Sequence, residues 1–254
     1  MRIVKEFLYA LIFLTKIPVP FLTKASEKNW GRITPYFVLI GFIVGLILFY
    51  LSKLFVELKL PVLFSALLVL LVWILITGAL HLDGLMDTFD GICCQDEARK
   101  LEAMKDSRIG AFGAMGGIFV VLFKLISLST ILLNTLYFLI LFSVPLARLA
   151  SVYSLSFFKS NSGNGISSSL LTRGIKKPMD FLINFSLFFI VLFFYFHGRL
   201  SMILFFGICF FVSVLIAYWL SRHFKGHSGD TYGALIELSE VVVLSFGVVL
   251  KNYF

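Results

Sequence analysis

Apolar residues run almost unbroken over about 36–56, 61–80, 112–133, 135–150, 181–197, 200–220 and 233–250. Each run except the fourth approaches the roughly 20 residues an α-helix needs to cross a bilayer. None has the strict alternation of a barrel strand. Lipid offers no partner for backbone N–H and C=O groups, so continuous runs of this kind fold as helices. The pattern predicts an all-α, polytopic helical membrane protein with about seven transmembrane helices, a single integral-membrane domain spanning 1–254. The opening stretch, MRIVKEFLYALIFLTKIPVP, has only a short apolar run from Phe7 to Leu14, no small-residue cleavage site, and basic residues again at Lys16 and Lys24. It predicts a retained N-terminal helix that lies in the interface or re-enters.

Composition agrees with the pattern. The chain is 59% hydrophobic and 14% charged, with 30 Phe residues, where a soluble domain is about 25% charged. With the N-terminus inside, 17 Lys and Arg residues fall on the cytoplasmic side and four, Lys53, Lys59, Arg199 and Lys251, outside. Loops rich in these residues stay cytoplasmic. The net charge of +8 is therefore mostly a topology signal, and it calls for no nucleic-acid partner. Three cysteines, two of them adjacent, make no disulfide framework. Oligomeric state is left open, a homo-oligomer included.

The polar stretches then face one compartment, and they are acidic. HLDGLMDTFDG, residues 81–91, places Asp83, Asp87 and Asp90 at i, i+4 and i+7, one stripe if the preceding helix continues. Three carboxylates on a stripe repel one another unless a cation neutralises them. A hard divalent ion such as Mg²⁺, which takes oxygen ligands and keeps waters and phosphates in its shell, suits that role. The alternative is a solvated helix face. Glu237 and Glu240 sit at i, i+3 in apolar context, where an ionisable side chain is costly and points to function.

Cations lie alongside. In RKLEAMKDSRIGAFG, Lys105 and Arg108 can clamp phosphate oxygens, and Asp106 sits between them. Residues 161–169, NSGNGISSS, offer Gly163 and Gly165 to wrap a phosphate, or form a plain linker. In GHSGDTYGALIELSE, glycines around Asp230 let backbone approach a ligand and Thr231 can cap the last helix. Lys124, inside a span, is expected to pair with an acid. Arg148 is expected to anchor a helix terminus, and His81 to contact a metal or phosphate or to lie in the interface.

FLTKIPVP at 13–20, GALHLDGLMDTFDG at 78–91, LEAMKDSRIGAFG at 101–113, GNG at 163–165 and GHSGDTYGALIELSE at 226–240 together resemble the cobalamin synthases, the adenosylcobinamide-GDP ribazoletransferases of the bacterial cytoplasmic membrane. The resemblance covers essentially the whole chain. It implies that a ribose hydroxyl of α-ribazole, or of its 5′-phosphate, attacks the cobinamide-side phosphorus of adenosylcobinamide-GDP, with GMP leaving and Mg²⁺ required. On that basis Asp83, Asp87, Asp90 and Asp106 are expected metal ligands. Glu237 and Glu240 are second ligands or general bases, Lys105 and Arg108 diphosphate-neutralising cations, and Gly163, Gly165 and Asp230 ligand-binding residues. Two rivals remain. DTFDG resembles the opening of the CDP-alcohol phosphotransferase motif, but Cys94 and Gln95 stand where Ala-Arg should follow. A divalent-cation transporter would place its acids along a path, usually on broken helices in repeated halves.

Overall fold

The computed structural model describes residues 2–19, 32–96, 100–104, 106, 108–160 and 177–253. They form ten α-helices: α1 (Arg2–Leu14), α2 (Phe37–Glu57), α3 (Val62–Thr77), α4 (Leu80–Cys93), α5 (Lys100–Ala103), α6 (Ala111–Leu133), α7 (Phe138–Phe157), α8 (Lys177–Tyr195), α9 (Leu200–His223) and α10 (Gly229–Val249). Two short 3-10 turns, Thr34–Tyr36 and Lys251–Tyr253, precede α2 and follow α10. Among the described residues the only β pairing is an isolated parallel bridge between Ser160 and His227.

Six helices are long and apolar enough to cross a membrane, and α3 joined to α4 raises the number to seven. The run at 61–80 does not continue into the aspartate stripe as one rod. Gly78 and Ala79 both take left-handed backbone, at φ +63° and +57°, and α4 leaves at 87° to α3. α4 therefore turns across the end of α3 instead of extending it. The fourth run, read as 135–150, extends to Phe157. At 13 residues α1 is about 20 Å long, too short to span; it buries Tyr9, Ala10 and Leu14 and exposes Ile3 and Val4.

α7 is the hub, buried almost throughout and packed against α2, α8, α9 and α10. Gly41 and Gly45 bring α2 against it so closely that a Cβ at Gly41 would meet the Pro145 Cα at 2.6 Å, the small-residue contact membrane helices use where water supplies no driving force. Outward, Phe119, Phe123, Ile126, Phe194, Ile208 and Phe211 are exposed and make the lipid-facing surface of a multi-pass protein.

Short turns at 58–61, 134–137 and 196–199 close one end. The longer connections gather at the other, tied by specific bonds. Lys16 N–H donates to the Ile76 carbonyl at 2.6 Å, covering the end of α3. Thr34 donates to Asp180 at 2.8 Å, while Asn184 donates to the Thr34 carbonyl and accepts from Val38 N–H, clamping α8 to the start of α2. His227 joins the α9–α10 turn to the end of α7: its N–H donates to the Lys159 carbonyl, and its ring lies between the Ala217 carbonyl and the Thr231 hydroxyl, each at 3.1 Å, stacked on Tyr232. A carbonyl only accepts, so Nε2 carries the proton of the neutral ring.

Burial brings the His227 pKa down from 6.5 to about 4. Between those values the unfolded chain binds a proton that the folded chain refuses, so stability falls as pH drops from 6.5 toward 4, by up to about 3 kcal/mol. Thermal unfolding in detergent, followed across that range, is expected to show this decline, with a shallower slope for His227→Gln.

Candidate functional site

α4 lies across α6 and α10. One side, carrying His81, Gly84, Leu85, Thr88 and Gly91, is buried. A Cβ on Gly84 would meet the Asp230 Cα at 2.8 Å, and one on Gly233 the His81 carbonyl at 3.0 Å. Only glycine on both helices permits this approach, and it sets Asp83 and Asp230 beside each other on the wall of one cavity. Asp230 stands in the first turn of α10, where a negative charge is favoured. The cap is Ser228, whose hydroxyl accepts from Thr231 N–H while Thr231 accepts from Ser228 N–H. Thr231 is thus the reciprocal partner, not the cap the sequence suggested.

The new helix preserves the aspartate stripe. Burial, and then the charges of Asp83, Asp230 and Asp90, push the Asp87 carboxyl up from 3.8 to about 6; the four carboxylates share one field. Asp90 does a second job. Its two oxygens accept from Gly110 N–H and Gly113 N–H at 2.8 Å each, covering orphan donors at the start of α6. Among the described residues no three His, Cys, Asp or Glu side chains converge as a ready metal cage. Asp106 stands apart from the stripe in a local exposed pair with Arg108, Nη2 to Oδ2 at 3.0 Å, and the Arg108 side chain is 86% exposed. That pair holds Asp106 below the usual carboxylate range. Lys105, Gly163 and Gly165 lie outside the described residues.

Glu237 and Glu240 are placed elsewhere than the acidic face. Lys124 Nζ donates to Glu237 at 2.6 Å and to Glu240 at 2.5 Å, and Arg148 Nη1 donates to the other Glu240 oxygen. The residues are 3% (Lys124), 1% (Arg148), 6% (Glu237) and 0% (Glu240) exposed. Lys124 thus finds its acids, as expected. Arg148 is a correction: it is no terminal anchor but a buried partner, because α7 continues nine residues beyond it. Trp73 of α3 covers the lysine, its ring 4.6 Å from Nζ. Two cations and two anions make a neutral quartet joining α6, α7 and α10. His81 lies close by, held well below the usual histidine range by burial and then by the charges of Arg148 and Lys124; it is a buried neutral ring, not an interfacial one.

The sequence profile of cobalamin-5-phosphate synthase matches residues 6–248. The chain belongs to that family. As a cobalamin-5-phosphate synthase family member it is 32% identical to a protein of Thermoanaerobacter pseudethanolicus over 96% of this chain and 97% of the relative. It is 32% identical to one of Thermosynechococcus vestitus over 94% of each, and 33% identical to one of Trichormus variabilis over 93% and 94%. All three relatives are named adenosylcobinamide-GDP ribazoletransferase. No solved structure matches the chain. The sequence reading did not single out Asn184 and Asp180, whose buried hydrogen bonds tie α8 to the start of α2.

Removing one member of a buried charge pair leaves the other uncompensated, at about 3–5 kcal/mol. Lys124→Met is expected to destabilise the protein by that order and Lys124→Met/Glu237→Gln to recover part of the loss, measured as unfolding midpoints in nanodiscs.

Proposed function

We propose that the protein joins adenosylcobinamide-GDP with α-ribazole or its 5′-phosphate, releasing GMP, at the end of the bundle where α4 meets α10. The observation that carries the reading is the gathering of Asp83, Asp87, Asp90 and Asp230 in one electrostatic field, with Asp83 and Asp230 on the wall of a cavity, in a chain whose relatives bear that activity's name. The family match over 6–248 favours it over a CDP-alcohol phosphotransferase or a cation transporter. Positive-inside asymmetry supports a cytoplasmic position for this end, in the cytoplasmic membrane.

The donor set fits Mg²⁺. It is all oxygen, its charges repel, and its carboxylates are spread, which suits an ion that keeps most of its waters and takes one or two carboxylates plus substrate phosphates. Asp87 and Asp83 would hold it, with Asp90 contributing through lone pairs its helix-capping bonds leave free; Asp106 would join only by leaving Arg108. When bound, the ion offsets charge on the diphosphate oxygens. Arg108, exposed and paired with Asp106 through a solvent-screened contact among the described residues, would turn to the diphosphate; Lys105, Gly163 and Gly165 stay candidates for the nucleotide phosphates from the sequence alone.

In the reaction the ribose hydroxyl oxygen forms a bond to the cobinamide-side phosphorus. The bond from that phosphorus to the bridging oxygen breaks, and GMP departs with the electron pair. The hydroxyl proton passes to Asp83 or Asp230, the carboxylates on the cavity wall. Glu237 and Glu240 act as positioning residues for α10 instead of as bases, since Lys124 and Arg148 already bind them. Alignment of nucleophile and leaving group is the main contribution of the protein.

Purified protein supplied with both substrates and Mg²⁺ is expected to release GMP in step with corrinoid product, and to stop when EDTA removes the ion. Asp87→Asn should lower turnover roughly a hundredfold or more with the unfolding midpoint retained. GMP release by that variant at the wild-type rate would remove Asp87 from the site.

A further inference from the structure

Beyond the aspartates, the same end of the bundle carries a basic pocket. It opens between the last turns of α7 and α9, has a volume of about 510 Å³, and is lined by Lys159, Arg222 and Lys225 together with Phe157, Phe158 and Gly226. The three cations are exposed, and among the described residues no carboxylate lines the pocket. Its two walls are tied together. Gly226 N–H closes α9 on the Ser221 carbonyl at 2.8 Å, with Lys225 in left-handed backbone at φ +55°, and His227 N–H bonds the Lys159 carbonyl at 2.8 Å. The pocket shares no residue with the cavity beside Asp83 and Asp230. Phe158 of the one and Tyr232 of the other both pack on the His227 ring, with centroids 5.7 and 5.0 Å away.

Cations at a helix C-terminus complement its dipole and keep a loop on one side of a membrane, which would account for scattered lysines and arginines. It does not account for three of them, from two separate stretches of chain, around one hollow, where they repel one another until an anion enters. Depth indicates which anion. Tyr218 and Trp219 lie one turn before Arg222 on α9 and are exposed, as is Phe157 on the rim of the pocket. Tyrosine and tryptophan rings settle at the level of lipid headgroups, so Arg222 stands at the depth of the lipid phosphates. We propose that this pocket binds the phosphate headgroup of an anionic phospholipid. Arg222 grips two phosphate oxygens through its planar fork, Lys159 and Lys225 act as point charges, and Phe157 offers apolar surface to the acyl chain. A free phosphate such as that of GMP shares the headgroup's charge but not its chain. Once occupied, the site braces the turn from which α10 and Asp230 start.

The test uses the full chain, in phosphatidylcholine nanodiscs with rising fractions of phosphatidylglycerol and in detergent, where native mass spectrometry counts the phosphatidylglycerol retained. Wild type is expected to retain it and to gain in unfolding midpoint as its fraction rises. Arg222→Gln should weaken retention about fivefold and Lys159→Gln/Arg222→Gln/Lys225→Gln about a hundredfold. Arg2→Gln/Lys5→Gln/Arg32→Gln, which removes as many cations outside the pocket, is expected to bind as wild type does. Excess GMP or inorganic phosphate should displace none of the lipid. Equal retention by wild type and the pocket variants, or equal weakening in the two triple variants, would overturn the proposal. Displacement of the lipid by GMP or inorganic phosphate would overturn it too, and would assign the pocket to a free phosphate instead. Where the pocket triple variant does not fold, Arg222→Gln and Lys159→Gln taken singly decide by the same comparison.

Discussion

Two glutamates in the middle of a membrane helix have to be neutralised, and that requirement fixes the rest of the molecule. Glu237 and Glu240 are answered by Lys124 from α6 and Arg148 from α7. Leaving any one of the four alone in low dielectric costs more than most single packing contacts supply. The quartet therefore specifies a rotation of α10 about its axis. Asp230, Gly233, Glu237 and Glu240 fall at i, i+3, i+7 and i+10, one stripe of the helix. Turning the glutamates toward Lys124 and Arg148 turns Gly233 to the His81 carbonyl and Asp230 to the cavity wall. Charge pairing deep in the bundle thus sets the geometry of carboxylates at its end.

The close crossing of α4 and α10 is the second half of that transmission. Side-chain packing alone keeps helices 8–10 Å apart, whereas Gly84 and Gly233 let backbone touch backbone. Asp90 fixes α4 from the opposite side by accepting the first free N–H groups of α6. The acidic stripe is in this way held between α6 and α10 by its own helix-capping aspartate. A carboxylate that secures the fold and the neighbours whose field it shares belong to a single repeat of spacing. The mutual repulsion felt at Asp87 persists because these two anchors prevent α4 from turning the acids away from one another.

Much of this was legible in the sequence, and the exceptions have physical causes. Hydropathy gave the spans and charge asymmetry gave the polar end, since both depend only on composition over long windows. The break at Gly78–Ala79 was hidden because Leu80 and Leu82 keep the apolar run going past it; the glycine there, in left-handed backbone, was the available signal. Arg148 was misread because Ser151, Ser154 and Ser156 lower the hydropathy of the last turns of α7. Those hydroxyls need not end a helix: Ser151 donates to the Arg148 carbonyl three residues back and lets the helix run on to Phe157. The sequence placed Glu237 and Glu240 on the reaction because an intramembrane acid is costly. It could not show which cations answer them, as those stand 113 and 92 residues away.

The end of a helical bundle is also the one region that suits both halves of a phosphodiester-forming reaction between large, partly apolar molecules. Apolar walls such as Phe13, Phe37 and Leu155 can hold an apolar group but cannot support a diphosphate, because a buried charge needs partners of its own. In open water, phosphates and a divalent ion are readily hydrated but an apolar group has nothing to bind. Where α4 turns across the bundle, 87° from the helix that precedes it, His81 and Asp83 line the cavity and Asp87 and Asp90 continue the acidic stripe along the same fourteen-residue helix, which is too short to cross. The break after Gly78 thereby fixes where the acids lie: a straight continuation of α3 would carry Asp83, Asp87 and Asp90 away from Asp230 and from the cavity whose wall Asp83 and Asp230 share.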